Sequence, residues 1–300
     1  MTTQLPGTRT SQPVSIQAGK VPALSVIVPT RNEVGNIEPL LARLKDALAS
    51  IDAEVLVVDD SDDATPGIAR QIAARSTFPI RVHARPPGQR SGGLGGAVLV
   101  GFSEALAPVS VVMDADLQHP PELLETLLGV SRTGADFVIA SRYVDGGGDE
   151  GLGAWYRHAV SMLATWVAKR VLGPELAGIS DPMSGFFLVR RSCLDLPSLH
   201  PQGFKLLLEL LARHPEATVA EVPFAFETRY SGASKAGLKE GITYLSRLAG
   251  LRAQARRSPH RPRRQLVPAA RGTSADRTSV GPEIAVTSSA SGDKDTHSRL

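Results

Sequence analysis

The sequence predicts an α/β fold: a mostly parallel sheet with helices on both faces. Three observations predict it. Between Leu24 and Ala140, five short apolar runs each end in polar or glycine-rich residues, and the segments between them show helical rather than alternating apolar spacing. Ser110-Val111-Val112-Met113 leads directly into Asp114-Ala115-Asp116-Leu117-Gln118-His119-Pro120-Pro121-Glu122. There a buried strand delivers two carboxylates to its C-terminal edge before the prolines open a helix. The third is size: 300 residues, 42% of them hydrophobic, can bury one core of about 200 to 250 residues.

Taken in order, residues 1–22 lack apolar periodicity and read as a disordered leader to a folded domain over 23–252. Leu24 to Val28, closed by Pro29, is the first strand. Ile37, Leu40, Leu41, Leu44 and Leu48 then share one helix face, leaving Arg43, Lys45 and Asp46 outside. The second strand, Glu54 to Val58, ends in Asp59-Asp60-Ser61-Asp62-Asp63 and precedes a helix over 64–75. A third strand near Ile80 to Ala84 precedes Ser91-Gly92-Gly93-Leu94-Gly95-Gly96, which lacks the spacing of a phosphate loop and reads as the tight opening of a helix close to a ligand. The strand before Asp114 is fourth and Phe137 to Ala140, before Ser141-Arg142, is fifth. Beyond the Gly146-Gly147-Gly148 link, a helix near 152–172 carries Trp155, Ala159, Met162, Leu163, Trp166 and Val167 along one side. This spacing fits a helix lying in a membrane interface and equally one packed on the core. A second amphipathic helix is expected near 238–251, with a strand entering after Asp181-Pro182-Met183-Ser184-Gly185, a helix from Gly203 to Arg213, and a strand near Val219 to Phe226 between the two. Residues 253–300 form a basic, Ser/Thr/Pro-rich tail expected to be disordered.

Composition narrows the chemistry. Cys193 is the only cysteine, which excludes an internal disulfide and any multi-cysteine metal site. The N-terminal stretch shows no secretory pattern, and no uncharged apolar run reaches the length of a membrane span. The expected location is therefore the cytoplasm, with peripheral contact to the cytoplasmic face of a membrane. The net charge of +3 is uneven, with seven arginines and no acidic residue from Arg252 to Arg271. Asp114, Asp116 and Gln118 supply only hard oxygen donors, which suit Mg²⁺ or Mn²⁺ beside a diphosphate.

Pro29-Thr-Arg-Asn-Glu33, Asp59-Asp60, the run from Asp114 to Glu122, Ser141-Arg142, Asp181-Pro-Met-Ser-Gly-Phe186, Gly203-Phe-Lys205 and Arg229-Tyr-Ser-Gly-Ala-Ser-Lys235 follow one another in a familiar order. Over about residues 24–250 the chain resembles glycosyltransferase family 2, in particular its dolichol-phosphate (polyprenyl-phosphate) mannosyltransferase branch. The resemblance implies a GT-A fold, inverting transfer of a hexose from a nucleotide-sugar donor to a polyprenyl phosphate, and Mg²⁺ or Mn²⁺ on Asp114, Asp116 and Gln118. It implies donor binding by Pro29, Arg31, Glu33, Asp60, Asp114, Arg229 and Lys235, and catalytic roles for Asp116, Arg142 and Arg229. It places the acceptor phosphate on Arg142, Arg157 and Ser161, the last two sharing a helix face. Glu209 reads first as a solvated helix carboxylate, with orienting the acceptor phosphate as the alternative. The phosphate acceptor already carries about −1.5 to −2 charges and needs no strong base.

Many members carry membrane-spanning helices after this domain. Here a basic polar stretch follows, so the expected attachment is through the amphipathic helices, the arginines or a separate membrane-protein partner. The spelling Asp59-Asp60-Ser61-Asp62 also departs from the Asp-Asp-x-Ser of the mannosyltransferases. GDP-mannose is the first expectation for the donor, and a UDP-sugar such as UDP-glucose the alternative. A non-catalytic module binding anionic lipid or nucleic acid through the arginines is the third reading.

Overall fold

The computed structural model describes residues 20–148, 155–199, 206–227, 249–250, 252 and 265–267. Seven strands and six α-helices follow in chain order among these residues. They are β1 (Leu24–Thr30), α1 (Ile37–Ala47), β2 (Ala53–Asp59), α2 (Thr65–Arg75), β3 (Ile80–Ala84), α3 (Gly93–Glu104), β4 (Val109–Val112), α4 (Leu124–Arg132), β5 (Phe137–Ser141), α5 (Trp155–Leu172), β6 (Phe187–Arg190), α6 (Leu206–Arg213) and β7 (Val219–Pro223). They form one sheet in the order β3-β2-β1-β4-β6-β5-β7. All neighbours are parallel except around β6, which runs antiparallel to β4 and β5.

The strands read as unbroken apolar runs because both faces are covered. Leu24, Val26 and Val28 of β1 join a core with Leu40, Leu44, Leu124 and Leu127 under α1, α2 and α4. Ile27 faces the other way, into a core with Val98, Phe102, Leu172 and Leu210 from α3, α5 and α6. The alternation of side chains along one strand thus fills two cores. Helix α3 presses so closely on the sheet that a Cβ at Gly101 would lie 2.4 Å from Ile27 Cγ2. Gly→Ala within a helix ordinarily stabilises by about 1 kcal/mol. At Gly101 the sign reverses: Gly101→Ala is expected to lower unfolding free energy by about 1–3 kcal/mol, measured in urea. A variant as stable as the parent would show that α3 can shift outward freely.

Two expectations need adjustment. Residues 265–267 were expected in the tail, yet they pair with β7: Val219 N–H donates to Gln265 O (2.9 Å) and Val267 N–H to Val219 O (3.0 Å). An edge strand has unpaired backbone groups, and Leu266-Val267 is a β-forming pair able to cover them. Glu209 is buried, not solvated, because α6 is packed on the core along most of its length; Arg213 Nε donates to its carboxylate at 3.0 Å. The leader up to residue 19, residues 200–205 and the rest of the tail lie outside the described residues, as does the helix near 238–251 except for 249 and 250. Among the described residues no helix is long and apolar enough to cross a membrane.

Cys193, just after β6, is half-buried, and burial together with Asp136 pushes its thiol up to about 11. Its Sγ lies 3.3 Å from Asp136 Oδ1. Only the thiolate is alkylated, so at pH 8 Cys193 should react with iodoacetamide roughly a hundredfold more slowly than free cysteine. The rate should climb until the pH passes about 11. Reaction at the free-thiol rate at pH 8 would refute this.

Candidate active site

The C-terminal ends of the parallel strands and the N-terminal end of β6 converge on one edge. Chain order reverses there between β1 and β4, since β1 is followed outward by β2 and β3 on one side and β4 lies on the other. Such a switch point opens a crevice where open α/β sheets bind ligands.

The β4 exit carries the paired carboxylates. Asp116 is buried, and its Oδ1 accepts the Gln118 N–H at 3.2 Å; Asp114 keeps 38% of its side chain exposed. Between Asp116 and Gln118 the chain turns through Leu117 at φ 64°, a left-handed conformation unusual for a leucine. Gln118 Nε2 donates to Glu227 O (3.0 Å) beyond β7, so its amide oxygen is the atom a cation would use. His119 had no role assigned from sequence, yet it organises this turn. Its Nδ1 accepts the Asp114 N–H at 3.0 Å, and its ring stacks on Phe186 with centroids 5.2 Å apart, edge-on to Phe224 and Phe226. Burial pushes its pKa down to about 4, so it stays neutral with Nδ1 as acceptor. The β4–β6 register, in which Val112 pairs with Phe187, brings Gly185 opposite Asp114. A Cβ at Gly185 would lie 2.9 Å from Asp114 Oδ2 and 3.2 Å from His119 Cε1, so a side chain there would displace the carboxylate.

The β1 and β2 exits form the other wall. Thr30 pairs with Asp59 across the strands, and Asp59 accepts from Thr30 Oγ1 (2.6 Å) and from the hydroxyl and N–H of Ser61 (2.7 and 3.0 Å). Pro29 is buried in β1, whereas Arg31 is exposed just beyond the strand. Asn32, at φ 56°, reaches across: its N–H donates to Ser61 Oγ (2.7 Å) and its Oδ1 accepts from Asp62 N–H (2.9 Å). Glu33 is half-buried and accepts from Asn36 Nδ2 at 2.7 Å. Both oxygens of buried Asp60 accept from Arg85, at the end of β3, and Arg85 also donates to the carbonyls of Ser91 and Gly93. The glycine-rich stretch is therefore the opening of α3 held against Asp60, with Gly92 at φ 78°. Arg85 was not foreseen; the signal was a lone arginine at the end of a short strand.

Arg142, at the β5 exit, gives Nε and Nη2 to buried Asp181 at 2.7 and 2.9 Å. Its guanidinium lies 5.2 Å from the Tyr143 ring centroid and 5.6 Å from that of Phe226. Asp114, His119, Arg142, Ser184, Gly185 and Phe226 line one cleft of about 170 Å³, shared with apolar residues of α3 and α6. The structure thus brings Asp114 and Arg142 to one cavity, with Asp116 and Gln118 on its adjoining turn. The side chains of Arg157 and Ser161, on α5, and the whole of Arg229 and Lys235 lie outside the described residues.

Among the described residues no three His, Cys, Asp or Glu side chains could hold a metal by themselves. The two carboxylates and one amide oxygen fit a cation that completes its shell with substrate phosphate and water, as Mg²⁺ commonly does.

A parallel-dominated sheet with an Asp-x-Asp turn at its switch point defines a GT-A glycosyltransferase fold. The comparisons agree. Residues 25–195 match the family description "Glycosyl transferase family 2". The chain is 42% identical over 223 residues to a dolichol-phosphate mannosyltransferase of Pyrococcus furiosus, a match covering 74% of this chain and 61% of that protein. It is 37% identical over 238 residues to the dolichol-phosphate mannosyltransferase of Saccharomyces cerevisiae, covering 76% and 86% respectively. Among solved structures, glucosyl-3-phosphoglycerate synthase from Mycobacterium tuberculosis, in complex with Mn²⁺, UDP and phosphoglyceric acid, superposes with a TM-score of 0.58 at 23% identity over 78% of each chain. The chain belongs to glycosyltransferase family 2.

Proposed function

We propose that this protein is an inverting, metal-dependent hexosyltransferase that moves mannose from GDP-mannose onto the phosphate of a polyprenyl phosphate. The observation that carries the reading is the single cleft lined by both Asp114 and Arg142, next to the turn bearing Asp116 and Gln118. The names of the archaeal and yeast relatives support the sugar and the acceptor.

In this reading Asp114, Asp116 and the Gln118 amide oxygen would hold Mg²⁺ or Mn²⁺, which would supply positive charge to the donor diphosphate as it leaves. His119 and Gly185 fix where the Asp114 carboxylate stands. Pro29, Arg31 and Glu33 border the nucleotide at the β1 exit. Asp60, braced by Arg85, is an acceptor-only group for its hydroxyl or N–H donors. Arg229 and Lys235 add positive charge to the diphosphate. Arg142, Arg157 and Ser161 receive the acceptor phosphate, whose attack on the anomeric carbon is then promoted by proximity and charge stabilisation.

Peripheral contact with a membrane is part of the proposal. On α5, Leu163 and Trp166 are 60% and 62% exposed beside exposed Lys169 and Arg170. An apolar ridge with basic flanks suits an anionic headgroup layer.

The test incubates the protein with a short-chain polyprenyl phosphate, labelled GDP-mannose or UDP-glucose, and Mg²⁺, Mn²⁺ or EDTA. Label in the organic phase from GDP-mannose, absent with EDTA, is the expected result. Transfer from UDP-glucose alone would replace the donor, and donor hydrolysis without lipid labelling would overturn the acceptor. Co-sedimentation of the same preparation with anionic vesicles tests the surface contact, which failure to sediment would refute.

A further inference from the structure

The turn carrying Asp116 and Gln118 contains a left-handed leucine, and such a backbone persists only where its surroundings over-determine it. The groups that do so come from two distant parts of the chain. Glu227, 109 residues after Gln118, is bound to it twice: Glu227 N–H donates to Gln118 O (3.0 Å), and Gln118 Nε2 donates to Glu227 O (3.0 Å). Glu227 is in turn gripped by Arg43 of α1, whose Nη1 and Nη2 each donate to one of its carboxylate oxygens at 2.8 Å. The same guanidinium holds Glu122, at the far end of the turn, through Nε and Nη2, again at 2.8 Å. One arginine therefore ties the exit of the Asp114–Glu122 segment to the residue beyond β7 that pins its middle. The two neighbouring carboxylates raise the pKa of Arg43, so it stays charged at any working pH.

We propose that Arg43 and Glu227 are positioning residues for the divalent cation, acting through Gln118 on the geometry of the Asp116 turn. Neither lines the cleft that holds Asp114 and Arg142. An arrangement that only stabilised the fold could join α1 to the β7 exit anywhere. This one closes on the residue whose amide oxygen the cation requires, with its amide nitrogen and backbone carbonyl both held by Glu227. Outer partners of metal ligands typically alter affinity by about 10–100-fold. The inference rests on the metal-dependent reading above, and its test is read without turnover.

The measurement is Mn²⁺ binding, followed by the electron paramagnetic resonance signal of free Mn²⁺ in the presence of GDP and, separately, UDP. It is made on the full chain and on Arg43→Met, Arg43→Lys, Glu227→Gln and the Arg43→Met/Glu227→Gln double variant, with thermal unfolding in EDTA recorded for each. The expected result is that Arg43→Met and Glu227→Gln each weaken Mn²⁺ binding about tenfold, with Arg43→Lys intermediate. The double variant should be no worse than the singles, since all interrupt one chain of contacts. Folded variants that bind Mn²⁺ as the parent does, whatever their melting temperature, would overturn the inference alone. So would additive losses in the double variant. A parent protein that binds no Mn²⁺ with either nucleotide would overturn it together with the metal-dependent reading.

Discussion

Asp181→Ala is expected to lower the unfolding free energy by about 3–5 kcal/mol, the range for breaking a buried ion pair from one side. Asp181 is fully buried and Arg142 keeps only 9% of its side chain exposed. The pair is bidentate, and the Arg142 N–H adds a third, longer bond to Asp181 Oδ2 at 3.3 Å. Without the carboxylate, the guanidinium is left charged in a poor solvent, because arginine cannot shed its proton at any pH the fold survives. The converse variant, Arg142→Met, should be milder, since a buried aspartate can take up a proton and become neutral. The apolar pair Arg142→Met/Asp181→Leu should recover much of the loss, because neither desolvation penalty then remains. Urea unfolding of the three variants gives the coupling. A loss below about 1 kcal/mol for Asp181→Ala would mean that water or another anion reaches Arg142 and that the pair is effectively exposed. Since Arg142 lines the cleft, the same pair sets how rigidly a cation is presented there. The Asp181-Pro-Met-Ser-Gly-Phe186 segment thereby contributes a counter-ion as well as the glycine beside Asp114.

The parts of this site legible in the sequence are those written in neighbouring residues. Apolar runs that end in Asp59-Asp60 or Asp114-Ala115-Asp116 announce strands delivering carboxylates to one edge, and the structure has these strands parallel and adjacent to β1. The position of β6 was not legible. Phe187-Leu188-Val189 reads as a strand, but nothing local says that it inserts antiparallel between β4 and β5, which is what places Gly185 against Asp114. Partners distant in sequence were hidden for the same reason: Arg142 and Asp181 are 39 residues apart, and Asp60 and Arg85 are 25. Asp60, Arg142 and Gln118 were each expected to face substrate or cation, and each is also engaged by a protein partner. A motif names the chemistry of a residue type. The protein contacts that orient it depend on sheet order, and sheet order is settled by packing of the two cores rather than by any one stretch. His119 shows the limit most plainly, because its burial among three phenylalanines from the β6 entry and the β7 exit makes it a neutral acceptor, whereas its sequence neighbours assign it no role.

Asp116→Ala should abolish sugar transfer while leaving the protein folded. If the proposed reading holds, Asp116 is a ligand to the cation that neutralises the departing diphosphate, a contribution of several kcal/mol to the transition state. At about 1.4 kcal/mol per tenfold, losing it corresponds to a fall of roughly a thousandfold or more in kcat/KM. The structural loss should be smaller: the bond that its carboxylate accepts from Gln118 N–H at 3.2 Å has an ionised acceptor and contributes about 1.5–3 kcal/mol. Removing a buried charge also relieves its desolvation. Activity and stability should therefore separate at Asp116, whereas at Asp181 they should fall together. Asp116→Asn sharpens the test: it keeps the shape and an oxygen for the turn but removes the charge, so it should fold like the parent and still transfer at least about a hundredfold more slowly. Excess Mn²⁺ should restore part of the Asp116→Asn activity and little of the Asp116→Ala activity, because only the amide retains an oxygen donor. Transfer by Asp116→Ala within tenfold of the parent, in buffers where EDTA still abolishes parental activity, would remove Asp116 from the metal site. The cation would then have to rest on Asp114, Gln118 and groups outside the β4 turn.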